Sequence, residues 1–159
     1  MRNCVVWRAE IGETADQMTS PYTAVIYRVT LVRVPDNEPL KGCSYFGQSV
    51  RVGTPEKVAH ARWEYEKWDA SRMERKIGFP VLLRKYGPSA FDWNLIEYCT
   101  MPQEDAQAWA DKQEKFHIAA NGGILMDSTK KMRQTLNQNS GGKGAHFESI
   151  NALSRRAFD

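Results

Sequence analysis

Tyr27, Tyr45, Arg62, Glu114 and Asn137 are polar groups of the types that hydrolyse a phosphodiester. That reaction needs a metal to neutralise charge, a base to activate water, and donors for the negative charge that develops. Glu114 is a candidate ligand for Mg2+, which takes oxygen ligands and keeps most of its waters. One carboxylate is enough when phosphate and water fill the other positions. Arg62 suits a phosphate clamp through its forked donors. Asn137 suits orienting phosphate or holding the glutamate. Tyrosine is an unusual base, because its reference pKa is about 10; it serves where a nearby cation or metal-bound water eases proton transfer. Each residue also has a bland reading. The tyrosines lie in apolar runs, as core tyrosines do. Arg62 is close to Glu64 and Glu66, Glu114 has Lys112 and Lys115 beside it, and Asn137 suits a turn.

The elements that must position these groups follow from the pattern of the chain. Residues 1 to 21 read as an extension that packs loosely or adds an edge strand. From Tyr22 to Val34 the sequence is β-branched and alternating, with Val25, Tyr27, Val29 and Leu31 on one face. Pro35-Asp36-Asn37-Glu38-Pro39 is turn chemistry, and Cys43 to Gln48 resumes as a second strand, which places Tyr27 and Tyr45 on neighbouring strands. Thr54-Pro55 starts a helix that runs to about Ile77, with Val58, Ala61, Tyr65, Trp68 and Arg72 as its buried stripe. The tryptophans read as mostly core, with Trp63 able to line a cleft instead. Pro80 to Tyr86 is a short helix stopped by Gly87-Pro88. Phe91 to Tyr98 is a third strand. Thr100 with Gln103 forms a capping box for a last long helix, which stops at Asn121-Gly122-Gly123. A further helix is expected from Phe147 to Ala157. The order predicts an α+β fold: a small three-stranded antiparallel sheet flanked by helices.

The chain has 159 residues, 42% of them hydrophobic, enough for one domain with a real core. Its net charge is only +3, so the total says little about partners. The distribution says more. From Ser128 onward Lys130, Lys131, Arg133, Lys143, Arg155 and Arg156 outnumber Glu148 and Asp159, so this glycine-rich stretch holds the whole positive excess and suits a polyanion. Cys4, Cys43 and Cys99 are far apart and form no CxxC pair, which argues against a zinc ribbon or a disulfide framework. No apolar leader or long apolar run is present, so a soluble cytoplasmic protein with no membrane partner is expected.

With the residues in this order, the sequence resembles the GIY-YIG nuclease family over about Tyr22 to Gly144. Val25-Ile26-Tyr27 looks like the first tyrosine element and Tyr45-Phe46-Gly47 like the second, with Gln48-Ser49 as the polar pair that often follows. Ala61-Arg62-Trp63 resembles the arginine helix. Leu83-Arg84-Lys85-Tyr86-Gly87, then Phe91 and Leu95-Ile96-Glu97, resembles the middle block. Gln113-Glu114-Lys115-Phe116 resembles the metal-binding segment, and Leu136-Asn137 followed by Gly141-Gly142-Lys143-Gly144 the terminal asparagine and glycine run. Each motif alone is weak; their order is the signal. The chain departs from the pattern at Val25, where the family has glycine. The connection from Tyr45 to Arg62 is longer than in compact members and implies that Val50 to Glu56 loops out. Glu66 stands one turn after the arginine, where some members carry histidine. His60 points elsewhere on the helix.

The resemblance implies a metal-dependent DNA endonuclease using Mg2+, or Mn2+ in its place. Glu114 would hold the metal, Tyr27 or Tyr45 activate water (Tyr27 slightly preferred), Arg62 clamp the phosphate and Asn137 fix the geometry. Arg51, Arg72, Arg75, Lys76, Arg84, Lys85, Lys130, Lys131 and Lys143 are candidate phosphate contacts, which position DNA without reading sequence. Residues 1–21 would be an extension, 22–144 the nuclease-like domain and 145–159 a basic tail or short helix. A compact stand-alone enzyme of phage, mobile-element or restriction type is expected, monomeric or homodimeric, with the dimer following from the restriction reading. The rival reading is a non-catalytic nucleic-acid-binding module that keeps the fold.

Overall fold

The alternating run that begins at Tyr22 becomes the centre of a mixed sheet. The computed structural model describes residues 2–5, 21–72, 78–127, 129 and 133–141, with residues 2–5 and 72 described by backbone alone. In chain order the elements are β1 (Arg2–Val5), β2 (Tyr22–Leu31), β3 (Ser44–Arg51), α1 (Pro55–Arg72), α2 (Phe79–Tyr86), β4 (Phe91–Met101) and α3 (Gln103–Ala120). The fold is α+β, as the pattern predicts. β2 pairs antiparallel with both β3 and β4, which gives the expected three-stranded antiparallel sheet. The N-terminal extension takes the edge-strand role: β1 pairs parallel with β4, and the full order is β1-β4-β2-β3. The tail at 145–159, with its expected helix, lies outside the described residues.

As the middle strand of the antiparallel set, β2 is buried on both faces. Val25, Tyr27, Val29 and Leu31 face α1 and α2, packing with Val58, Ala59, Ala70, Phe79, Leu82 and Leu83. Ala24 and Ile26 face α3, with Cys99, Met101, Ala106 and Ala110. A bulge interrupts the β2–β4 register between Ile26, opposite Glu97, and Tyr27, opposite Leu95, so Ile96 is the extra residue. Bulges raise local twist and re-aim side chains, and this one adjoins Tyr27.

Several local expectations change. Thr54 does cap α1, accepting from the Lys57 N–H at 3.4 Å. Of the expected buried stripe of α1, Val58 is buried, but Ala61, Tyr65 and Trp68 are not, and the Arg72 side chain lies outside the described residues. Ala61 is exposed, and Tyr65 and Trp68 are 43% and 52% exposed. After Val58 the inward positions are Ala59, Arg62, Trp63, Glu66 and Ala70, and hydrophobic spacing misses this stripe because two of them are charged. Trp63 packs on the core near Phe79 rather than lining the cleft, and Trp68 is not core. The expected capping box at Thr100 does not form. β4 runs through to Met101, so Pro102 takes the N-cap of α3 with no side-chain bond. Nor does Val50 to Glu56 loop out. Val50 and Arg51 extend β3, paired with Ala24 and Thr23, and Glu56 already belongs to α1. The extra length has become strand. Among the described residues no helix is long and apolar enough to cross a membrane.

Candidate active site

β3 is an edge strand, and α1 and α3 approach it from opposite faces of the sheet. Between them lies a cleft of ≈ 510 Å³ whose walls include Tyr45, Arg51, Arg62, Glu66, Glu114 and Asn137. Four of the five residues first singled out therefore share one cavity. The fifth, Tyr27, lies behind its wall and is 0% exposed.

Tyr27 stands opposite Gly47 across the β2–β3 pair. Its hydroxyl donates to Glu66 Oε1 at 3.1 Å, and Arg62 Nη2 lies 2.9 Å from the same oxygen. Arg62 and Glu66 are one helical turn apart, so α1 delivers both to the sheet together. The two tyrosine rings are 6.4 Å apart, and Tyr45 stacks on Phe79 with centroids at 4.4 Å. Burial, then the charge of Glu66, then Tyr45 push the Tyr27 phenol well above its ordinary value, with Arg62 opposing. Burial works against the Arg62 charge, but Tyr27, Glu66 and Tyr45 outweigh it and hold the guanidinium protonated. A phenol whose folded pKa is raised contributes stability below the unfolded pKa of about 10, and that contribution is lost as pH rises beyond it. Stability should therefore fall above about pH 10. Urea midpoints measured from pH 8 to 11 check this: the decline should be shallower in Tyr27→Phe, and equal slopes would contradict it.

Arg62 has a second property. Its Nε is buried and has no hydrogen-bond partner among the described residues. A buried donor left unpaired costs roughly 1–3 kcal/mol; the rest of the guanidinium side chain is 33% exposed and lines the cleft. On the other wall, Glu114 is 8% exposed on the inward face of α3, with Ala110 and Ile118 a turn to either side. Gly141, at φ +98, lies so close that a Cβ there would sit 3.1 Å from Glu114 Oε1. This first glycine of the terminal run leaves room for the glutamate. Gly142, Lys143 and Gly144 lie outside the described residues.

Asn137 does something more specific than capping a turn. Its Oδ1 accepts the Phe46 N–H at 2.9 Å, and its Nδ2 donates to the Phe46 carbonyl at 2.7 Å. The side-chain amide copies the ladder partner that the edge strand lacks. It pins residues 134–137 beside β3, helped by the Leu136 N–H to the Ser44 carbonyl at 2.8 Å. Asn137 thus shapes the cleft wall through Phe46. Gln48, beyond it on β3, donates to Asp111 Oδ1 at 2.9 Å and accepts from Gln107 at 2.9 Å, which ties β3 to α3 beside Glu114.

Of the candidate phosphate contacts, Arg51 is exposed and lines the cleft. Arg84 and Lys85 are exposed on the last turn of α2 and do not line it. The Arg72 side chain, Arg75, Lys76, Lys130, Lys131 and Lys143 lie outside the described residues. Val25, in place of the family's glycine, is fully buried against Val58 and Ala59, on the α1-facing side of β2. The sequence reading missed Glu66 and Asp69, both on the cleft wall. Helical spacing from Arg62 was the available signal for Glu66.

Among the described residues no group of three or more His, Cys, Asp or Glu side chains could hold a metal. The donors present fit a site of another kind, a single inward carboxylate in a polar cleft open to water and phosphate, which suits Mg2+. In comparisons with protein-family models, curated proteins and solved structures, the chain matches none.

Proposed function

We propose that this protein is a metal-dependent DNA endonuclease that hydrolyses phosphodiester bonds, with a domain like that of the GIY-YIG nucleases. One observation carries the reading: a half-buried arginine on one wall of the cleft faces an inward glutamate that also lines it. A scissile phosphate in the cleft would supply both an acceptor oxygen for Arg62 and the negative charge for a cation at Glu114.

Mg2+ held by Glu114 would neutralise the phosphate and the departing oxygen. Arg62 binds a non-bridging phosphate oxygen and stabilises the charge that grows as water attacks. Tyr45, on the cleft wall and fixed by its stack on Phe79, orients the attacking water. Tyr27 holds Glu66 and, through it, Arg62. Asn137 keeps the Tyr45–Phe46–Gly47 strand in place. Arg51 extends the cationic wall towards solvent and binds a flanking phosphate.

Incubating the protein with supercoiled and linear DNA, with and without Mg2+ or Mn2+, tests the reading. Nicking or linearisation that depends on the metal is expected. DNA binding in a gel shift with no cleavage under any divalent metal would mark a non-catalytic module instead. Defined cut ends together with a dimer in solution would point to a restriction role, and scattered ends would argue against it.

A further inference from the structure

We infer that Glu66 is the general base of this site, taking the proton of the attacking water. The inference rests on the nuclease reading and deepens it. Glu66 is 7% exposed and lies on the wall of the cleft that substrate and water would share. The residue it displaces from that role, Tyr27, is fully buried, and its hydroxyl is already committed as a donor to Glu66. Burial and the Glu66 charge also push the Tyr27 phenol upward, away from the range in which it would ionise near neutral pH. A carboxylate needs no such activation to serve as a general base.

The geometry divides the work between the two carboxylate oxygens. Both recorded contacts, from the Tyr27 hydroxyl at 3.1 Å and Arg62 Nη2 at 2.9 Å, converge on Oε1. They fix the orientation of the group and leave Oε2 to take the proton. In the step itself, a water O–H bond breaks and its proton moves to Glu66 Oε2. The water oxygen forms a bond to phosphorus, and the bond from phosphorus to the leaving oxygen breaks. The leaving oxygen takes a proton from solvent, and Glu66 returns its own to solvent. Tyr27 is a positioning residue in this scheme, and the Arg62–Glu66 pair couples phosphate binding to base orientation on one turn of α1.

Glu66→Gln keeps the size and one carbonyl oxygen able to accept from Tyr27 and Arg62, but it cannot take a proton. With supercoiled plasmid and saturating Mg2+, its single-turnover rate should fall by about 10²–10⁴-fold while gel-shift affinity for DNA holds. Tyr27, Tyr45, Arg51, Arg62, Asp69 and Glu114 share the locality, and Asp69 and Glu114 are carboxylates too. The acid limb of the rate is therefore compared between wild type and Glu66→Gln, and the part lost in the variant belongs to Glu66. In Glu66→Ala, added formate should restore part of the rate by filling the vacated carboxylate position. Circular dichroism confirms that each variant folds, and Glu66→Asp, which retains a base, should keep more rate than Glu66→Gln. A wild type that cleaves beside a Glu66→Gln variant within about threefold of it would overturn the inference and leave the nuclease reading standing. A lost rate with an unchanged acid limb and no formate rescue would overturn it too, since Glu66 would then only position Arg62. A wild type that cleaves no DNA would remove both.

Discussion

Glu114→Ala should abolish Mg2+-dependent cleavage of plasmid DNA while the fold survives. The two halves of this expectation have separate physical causes. Alanine is the best helix former and Glu114 sits in mid-helix, so α3 loses nothing in propensity. The positions that anchor α3 to the sheet are Ala106, Ala110 and Ile118, which the substitution leaves in place. Catalysis has no such reserve. Among the described residues no group of three or more His, Cys, Asp or Glu side chains offers a ready-made site for the cation. A Lewis acid at phosphorus is worth several kcal/mol of transition-state charge stabilisation, and each 1.36 kcal/mol is tenfold in rate, so the loss should reach at least about 10³-fold. Plasmid nicking measures the rate, calorimetric titration with Mg2+ or Mn2+ measures the metal directly, and thermal melts report the fold. Cleavage that persists in purified Glu114→Ala would sink the assignment of the metal site. A lost melt would show instead that the carboxylate, with Gly141 packed against it, is structural.

How much of this was legible in the sequence depends on what each element presents to its neighbours. The strands were readable because β2 sends Val25, Tyr27, Val29 and Leu31 towards one layer, while Arg28 and Thr30 on the other face keep the period-2 alternation visible. Helix α3 was readable from its length and its Asn121-Gly122-Gly123 stop, where the Gly123 N–H reaches back to the Ile118 carbonyl at 2.9 Å. The wrong stripe on α1 is the instructive case. The helix turns Arg62 and Glu66 inward and leaves Tyr65 and Trp68 in solvent, the opposite of what side-chain polarity favours. Such a reversal is stable only because the inward charges meet each other and the Tyr27 hydroxyl. Polar residues on a core-facing stripe are what a site requires and what a hydrophobic pattern hides. Asn137 was found but its role was not, because its partner Phe46 is 91 residues away and the bond is to backbone, which no side-chain pattern reports. Tyr27 and Tyr45 could not be ranked from sequence. Register separates them by burial: Tyr27 falls on the doubly covered strand and Tyr45 on the edge.

The same register makes Gly47→Ala a damaging substitution despite its small size. A Cβ at position 47 would lie 2.3 Å from Tyr27 Cζ and 2.3 Å from its hydroxyl oxygen, and 2.8 Å from Cε1. The ring cannot retreat, because Tyr27 is fully buried and packed within the Val29, Leu31, Phe79 and Leu83 cluster. Overpacking a tight core typically costs 1–3 kcal/mol and occasionally more; a displaced Tyr27 also forfeits its bond to Glu66, so a loss of at least about 3 kcal/mol is expected. In urea the midpoint should fall while the slope is unchanged. Removing the hydroxyl with Gly47→Ala/Tyr27→Phe should recover only part of the loss, since Cζ remains in the way. A variant with the wild-type midpoint would show that β2 and β3 separate freely at this point. The consequence for function is that the tyrosine-x-glycine spacing on β3 has a mechanical reason. Tyr45 and Gly47 point to the same face of one strand. The first presents its ring to the cleft. The second presents no side chain, and the ring of Tyr27 fills that place, which brings its hydroxyl up to Glu66 on α1. Any side chain at 47 would break the strand-to-helix contact that orients the carboxylate, so Gly47→Ala should lower cleavage along with stability, although Gly47 itself touches no substrate.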